Sequence, residues 1–373
     1  MTSVLFLIPT LDRGGAENVL LDLVNHMDQS KFRITVQTLF DKDAQKDRLR
    51  DGIEYKTFMY HQFHGNSRLF SLIPARLLYR FIVREHYDVV VSYLEGPTTH
   101  IISGCPYKDS KTVAWIHSAL DTGRGFSAGF VSERAAIKAY SSFDKISFVA
   151  KSVKEKIELT TKTVFPNSCI LYNTVDTDEI LSRAKEELND CQFSKDEFKI
   201  FSVGKVTSVK GFDRLAHIQK RLVADGYRTH VYILGIGNDK ESIEAYLKDN
   251  NISDSFTFLG FHDNPYKYVT KADLFICSSR REGFSTAVSE ALILGIPVVS
   301  TNCSGAYELL GENSEYGLVT DNNEEALYQG IKKILDDPAL LEYYRNQAAI
   351  RGRSFSTEET VRAVEDMLTE LPE

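Results

Sequence analysis

An α/β protein built from two wound parallel sheets is what this sequence predicts, and three observations carry the reading. Strand-length apolar runs alternate with helix-length periodic segments along the whole chain, as in strands joined by crossover helices. At 373 residues the chain exceeds what one hydrophobic core usually serves, so two domains of ordinary size are expected. The alternation also falls into two series, with a charged segment at 178–197 between them that reads as a linker.

Taken in order, the first series opens with an apolar strand at 4–8, a glycine-bearing turn and a helix over about 16–27. Strands at 32–38, 88–92, 112–116 and 145–148 continue the first sheet, and 173–176 closes that domain. The second series runs through strands at 198–203, 231–234, 256–259, 274–277 and 297–300. Helices near 212–225, 240–250 and 286–294 join them, and the tail from 324 to 371 is mostly helical. The longest apolar runs are strand-length, far short of a membrane span, and residues 1–9 lack the features of a signal peptide. Five cysteines, an odd number without a Cys-x-x-Cys, suit reduced thiols in a cytosolic compartment better than a disulfide frame or zinc site.

The densest information lies at 278–297. A strand runs into a polar loop carrying Glu282 and Gly283; the helix that follows carries Glu290 and stops at Gly295 before Pro297. Glu282 therefore sits at a strand's carboxyl end and Glu290 on the next helix, at the edge where open parallel sheets bind ligands. The Glu-x7-Glu spacing alone is weak, and the strand-loop-helix setting makes it specific. The run Gly-Lys-Val-Thr-Ser-Val-Lys-Gly-Phe-Asp at 204–213 has the same setting. Lys205 and Lys210 follow a strand and Gly211 precedes a helix, so two ammonium groups and a helix amino terminus share one rim, which suits phosphate. Two solvated lysines on a loop are the bland alternative. Gly14 and Gly15 occupy the first strand-to-helix turn, where glycine lets a backbone approach a diphosphate or simply makes a tight turn. The Gly-x-Gly-x-x-Gly pattern of a dinucleotide site is missing there, which counts against NAD. His117 ends the apolar run 112–116, again at a strand's carboxyl end, where capping the strand is its alternative role.

Together with Asp-Arg-Gly-Gly-Ala-Glu at 12–17, these motifs resemble family 4 glycosyltransferases. Those are retaining, nucleotide-sugar-dependent enzymes of the GT-B fold, with two Rossmann-like domains facing an interdomain cleft and a final helix crossing back to the first domain. The resemblance spans the chain and implies an acceptor-side domain at 1–177, the linker at 178–197, a donor domain at 198–355 and the return helix at 356–373. It implies transfer of a hexose or N-acetylhexosamine, with retention, from a donor more often UDP-linked than GDP- or ADP-linked. The acceptor it implies is a hydroxyl of a lipid-linked bacterial glycan in capsule, O-antigen or exopolysaccharide synthesis. Carried onto this chain, it gives the chemistry to His117, Lys205, Lys210 and Glu282, with Glu282 near the sugar C3 and C4 hydroxyls. Glu290 accepts from both ribose hydroxyls, and the backbone of Gly283, Phe284, Ser285 and Thr286 lines sugar and phosphate. Gly14, Gly15 and Gly204 complete the donor side, Phe261 walls the base, and Asp12 and Arg13 shape the acceptor side. The family commonly has Arg where Lys205 stands, a change that keeps the charge and loses the bidentate fork. Neither a metal nor a cofactor beyond the nucleotide sugar is expected.

Residues 67–86 carry Arg76, Arg80 and Arg84 at i, i+4 and i+8 beside a broad apolar side that includes Leu69, Leu72, Leu77 and Phe81. One basic helical stripe of this kind suits an anionic membrane surface, and equally an ordinary helix with solvated arginines; Pro74 tempers both. The stripe and the lipid-linked acceptor place the expected protein at the inner face of the cell membrane, cytoplasmic and peripheral. Charge is uneven: through residue 175 there are 22 Lys+Arg against 18 Asp+Glu, whereas the whole chain is −8. An acidic carboxyl half argues against a nucleic-acid partner. Two rivals stay open: a non-catalytic GT-B subunit that binds another transferase, and a UDP-sugar 2-epimerase.

Overall fold

The computed structural model describes residues 1–41, 45–61, 65–120 and 123–371. The chain divides into two compact units, Met1–Val175 with Thr357–Glu373, and Asp176–Ser356. Each holds one all-parallel sheet between helices, as the alternation in the sequence requires.

The first unit's strands are β1 (Thr2–Ile8), β2 (Phe32–Phe40), β3 (Glu54–Met59), β4 (Val89–Ser92), β5 (Lys111–Ile116), β6 (Lys145–Phe148) and β7 (Ser168–Ile170). The second unit's are β8 (Phe198–Val203), β9 (Thr229–Leu234), β10 (Phe256–Gly260), β11 (Leu274–Cys277), β12 (Val298–Thr301) and β13 (Leu318–Thr320). Their orders are β3-β2-β1-β4-β5-β6-β7 and β10-β9-β8-β11-β12-β13. Each order reverses once, between β1 and β4 and between β8 and β11, and that reversal opens a crevice at the strands' carboxyl ends. Central strands are buried on both faces, as Val4, Leu5, Phe6, Leu7 and Ile8 of β1 are, which is why they read as continuous apolar runs.

Three strands escape the sequence reading: β3, β7 and β13. All three are edges of their sheets. β3 carries Glu54 and Lys56 and is nowhere fully buried, and β7 and β13 are three residues long. An edge strand is covered on one side only, so nothing forces it to be apolar throughout. Residues 173–176, expected to close the first domain, form no strand and lead directly into the helix Thr177–Arg183.

The final helix, Thr357–Thr369, returns to the first unit. Its buried stripe of Val361, Val364, Met367 and Leu368 packs beside the helix Gly15–His26. Glu365 Oε1 accepts from the Asp28 amide at 2.6 Å, and Thr357 Oγ1 donates to Val175 O at 2.8 Å. Residues 176–197 lie in the second unit. There the helix Thr177–Arg183 is capped by Asp176, whose carboxylate accepts from Glu179 N at 2.8 Å. Arg183 donates to Asp263 O at 2.7 Å, and Asn264 donates to Arg183 O at 2.8 Å, so this segment braces the loop after β10.

Residues 67–86 do not form one helix. They make two, Asn66–Leu72 and Ala75–Ile82, broken at Ile73 and Pro74. Proline lacks an amide proton and pushes the residue before it out of the helical region, and Ile73 is extended at φ −94°, ψ 134°. Arg84 therefore does not continue the stripe of Arg76 and Arg80. It lies past the helix at φ 63°, its Nε donating to Phe81 O at 2.8 Å.

Candidate functional site

The second unit brings most of the motif residues to one rim. β8 ends at Val203 and passes through Gly204 and Lys205 into a short 3-10 turn, Ser208–Lys210. Gly211 then starts the helix Phe212–Ala224. Next door, β11 passes through Ser278, Ser279 and Arg280 to Glu282, and the helix Thr286–Ile293 begins one turn later with Ser285 as its N-cap. β8 and β11 are the strands flanking the reversal of strand order, so both loops open onto that crevice.

The two loops are tied together. Ser278 Oγ donates to Lys210 O at 2.8 Å, and the Arg280 amide donates to Val209 O at 2.7 Å. Arg280 also grips Asp213 with two bonds of 2.7 and 2.6 Å and Ser208 O at 2.6 Å. Burial works against the Asp213 charge, but Arg280 outweighs it and holds the carboxyl below the usual carboxylate range. Gly211 is required by this junction: its φ is +68°, and a Cβ there would stand 2.2 Å from Ser278 O. Gly235, after β9, is as constrained, with φ +146° and an added Cβ 1.9 Å from Gly204 O.

At the centre is an ion pair. Lys210 Nζ donates to Glu282 Oε1 at 2.7 Å, and the same oxygen accepts from Ser279 Oγ at 2.5 Å. The side chains are 26% and 12% exposed. Burial disfavours the Lys210 ammonium, but the Glu282 charge overrides it and the pKa rises. The site thus keeps a fixed positive charge whose one partner is itself a candidate ligand group. Lys205 stands exposed at the same rim, and Glu290 is partly buried on the helix Thr286–Ile293. Gly283, Phe284 and Ser285 are buried, and Ser285 makes no side-chain cap, so the first amides of this helix are not used by its own N-cap side chain. Phe261 follows β10 and is 39% exposed, next to a register shift between Phe258 and Gly260 that bends the strand end.

The first unit gathers the remaining residues. Asp12 Oδ1 accepts from the Arg13 amide at 2.8 Å, and Gly14 N donates to Asp12 O at 3.0 Å, closing the turn after β1. Gly15 is the first residue of the helix Gly15–His26, and an added Cβ at Gly14 would meet the Glu17 carboxylate at 2.2 Å. His117 follows β5, with its amide donating to Glu95 Oε2 at 3.0 Å. Its ring lies 4.7 Å from that of Tyr93, and burial lowers its pKa to about 3, so the imidazole is neutral. Arg76 and Arg80 lie on the helix Ala75–Ile82 and are exposed, as are Leu72, Leu77 and Phe81.

Sequence reasoning missed Ser279, the Arg280–Asp213 clamp and Gly235. The glycine had a signal, since Gly-Ile-Gly at 235–237 directly follows a strand. The clamp had none, because its partners are 67 residues apart. Among the described residues no group of three or more His, Cys, Asp or Glu is placed to hold a metal ion. Nor is any helix among them long and apolar enough to cross a membrane.

Comparison with known proteins adds the following. Residues 184–351 match the family described as Glycosyl transferases group 1, and residues 13–179 match Glycosyltransferase Family 4. A Campylobacter jejuni protein named N-acetylgalactosamine-N,N'-diacetylbacillosaminyl-diphospho-undecaprenol 4-alpha-N-acetylgalactosaminyltransferase is 37% identical over 196 residues, covering 52% of this chain and 51% of that protein. The capsular polysaccharide biosynthesis glycosyltransferase CapM of Staphylococcus aureus is 25% identical over 234 residues, 60% of each chain. The chain spans about half the length of several curated relatives it matches, the Campylobacter protein among them. Among solved structures, Anabaena Alr3699/HepE in complex with UDP superposes with a TM-score of 0.76 at 17% identity, covering 99% of this chain and 100% of that one. S. aureus TarM gives 0.74 at 12% identity over 99% of each chain. The fold is the two-sheet α/β fold of these GT-B glycosyltransferases.

Proposed function

This chain belongs to family 4 of the glycosyltransferases, and on that premise we propose that it moves a hexose or N-acetylhexosamine, with retention, from a UDP-sugar to a hydroxyl of a lipid-linked saccharide. The observation that carries the proposal is the Lys210–Glu282 pair at 2.7 Å beside a helix amino terminus, at the strand-order reversal of the second sheet. Breaking a sugar–phosphate bond leaves negative charge on the diphosphate. Lys210, Lys205 and the amides opening the helix Thr286–Ile293 are fixed donors for that charge. In this reading the diphosphate draws Lys210 toward itself, and Glu282 becomes free to accept from hydroxyls of the donor sugar. Glu290 accepts from the ribose hydroxyls and Phe261 flanks the base. The acceptor oxygen attacks the anomeric carbon on the face the diphosphate leaves, and its proton passes to the departing phosphate oxygen. Neutral His117 then serves as a hydrogen-bonding group and not as the base. No step requires a metal, because the lysines and helix dipole carry the charge role.

The UDP assignment draws on structures of Anabaena HepE with UDP and with UDP-glucose. The acceptor draws on the name of the Campylobacter relative, which specifies a diphospho-undecaprenol saccharide. A lipid-linked acceptor requires a membrane. Exposed Leu72 and Phe81, 69% and 67% accessible, stand with Arg76 and Arg80 on a surface suited to anionic lipid at the cytoplasmic face. The test is mass spectrometry of products from a panel of UDP-sugars with undecaprenyl-diphosphate oligosaccharides. One added sugar and stoichiometric UDP support the proposal. Conversion of a UDP-sugar to its 2-epimer without transfer, or silence with every donor, overturns it.

A further inference from the structure

Behind the central ion pair, the loop that carries Glu282 is fastened residue by residue. Ser278 Oγ donates to Lys210 O at 2.8 Å, and the Arg280 carbonyl accepts from Asn322 Nδ2 at 3.0 Å. Asn322 is itself held, its Oδ1 accepting from Arg214 at 2.7 Å. Between these two, Ser279 O accepts twice, from Thr301 Oγ1 at 2.6 Å and from Cys303 Sγ at 3.0 Å. Ser279, Thr301 and Cys303 are all buried. Burial pushes the Cys303 thiol up to about 12 and raises that of Cys277, so both keep their protons and remain donors. The Ser279 hydroxyl is oriented in turn. Its oxygen accepts from Cys277 Sγ at 3.7 Å, and its proton goes to Glu282 Oε1 at 2.5 Å, because an ionised carboxylate can only accept. Glu282 Oε1 thus takes both donors, Lys210 and Ser279. Oε2 accepts from none of the described residues and is not shut away from solvent.

Given the donor reading above, we propose that Ser279, braced by Thr301 and Cys303, is the positioning residue that keeps Glu282 turned to the donor sugar, with Oε1 held on Ser279 and Oε2 accepting a sugar hydroxyl. In that reading the diphosphate takes Lys210 away, and Glu282 loses one of its two tethers. A glutamate released at all its torsions would have to be ordered again by the sugar, which costs rotamer freedom. The Ser279 bond survives the exchange, because it lies within the same loop and reaches no phosphate. A hydroxyl bonded to a carboxylate also makes a short, charge-assisted bond, stronger than one between neutral groups. Nor can Ser279 swing away with the carboxylate, since two donors from the end of β12 and the residues after it fix its carbonyl. Ser279 touches neither sugar nor phosphate in this arrangement and acts through Glu282. UDP carries no sugar, so Ser279 bears on the binding of a UDP-sugar and not on that of UDP.

The test is titration calorimetry of the full chain with UDP, UDP-glucose and UDP-N-acetylgalactosamine. Ser279→Ala should weaken the better-bound UDP-sugar about ten- to hundredfold, the range for a lost hydrogen bond to a charged group, and leave UDP affinity close to that of the wild type. Thr301→Val removes the shorter tether to Ser279 O without altering the rim. It should shift the same ratio in the same direction by less, and it decides the matter if Ser279→Ala fails to fold. In a Glu282→Ala background, Ser279→Ala should change nothing further, because its effect passes through that carboxylate. Equal loss of UDP and UDP-sugar, loss of neither, or an additive double variant gives Ser279 a purely structural part and overturns the proposal. A wild type that binds none of the three probes, or UDP alone, overturns the donor reading itself and the role of Ser279 with it.

Discussion

Replacing Lys210 by alanine separates what the central ion pair does for the fold from what it does for the reaction. Lys210 Nζ and Glu282 Oε1 are 2.7 Å apart, and their side chains are 26% and 12% exposed. Removing one partner of a buried pair costs about 3–5 kcal/mol, mostly because the other charge is left uncompensated. Ser279 still bonds Glu282, and water reaches both groups, so a discounted ~2–3 kcal/mol is expected. At about 2–4 °C per kcal/mol for a domain of this size, that lowers the melting temperature by about 5–10 °C. Because the pair raises the Lys210 pKa, its contribution is fully present below the ordinary lysine value of 10.5 and fades only as pH rises beyond it. Turnover should fall by about two to three orders of magnitude, typical of removing a donor to a developing anion. The double variant Lys210→Met, Glu282→Gln removes both charges and should regain most of the lost stability. If the Lys210 charge acts on the diphosphate, turnover stays low in the double variant. Recovery of turnover along with stability, read by calorimetry and UDP release on the same samples, would refute that role.

Three further outcomes follow from the structure. Gly211→Ala forces a Cβ to within 2.2 Å of Ser278 O at φ +68°, and should destabilise by at least about 2 kcal/mol and abolish donor binding, as titration calorimetry with UDP would register. His117 has its pKa lowered by burial from 6.5 to about 3, so between those values the unfolded chain binds a proton that the folded one does not. Stability is therefore lost as pH falls through that window, by at most about 1.4 kcal/mol per pH unit; His117→Gln should flatten the acid limb of the denaturation profile, and an unchanged slope would count against the buried neutral ring. Changing Arg76 and Arg80 to Gln should weaken binding to anionic vesicles about thirtyfold, at about 1 kcal/mol each, and adding Phe81→Ser should weaken it further, whereas equal co-sedimentation of wild type and variants would leave that face merely solvated.

The legible parts of this chain were those where burial is complete. Central strands such as β1 and β11, covered on both faces, have no choice but to be apolar, and the loops at their carboxyl ends announced Gly14, His117, Lys210 and Glu282. Edge strands β3, β7 and β13 have one neighbouring strand, are only partly buried along their length and left no comparable pattern. The arginine spacing at 76, 80 and 84 looked continuous because periodicity ignores the backbone; Pro74 and the left-handed Arg84 limit the helix to eight residues. The Lys210–Glu282 bond and the Arg280–Asp213 clamp join residues 72 and 67 positions apart, which no local window can pair.

The central claim is that the rim of the second unit transfers a sugar from UDP with retention. A 1H NMR time course of the wild type with an α-linked UDP-sugar and a short diphosphate-linked acceptor, run in EDTA, reads UDP formation and the anomeric coupling of the new bond at once. The account predicts stoichiometric UDP and the small coupling of an α-linkage, both suppressed at least a hundredfold by Lys210→Ala. A β-linked product, or transfer that ceases in EDTA and returns with Mn²⁺ or Mg²⁺, would contradict it.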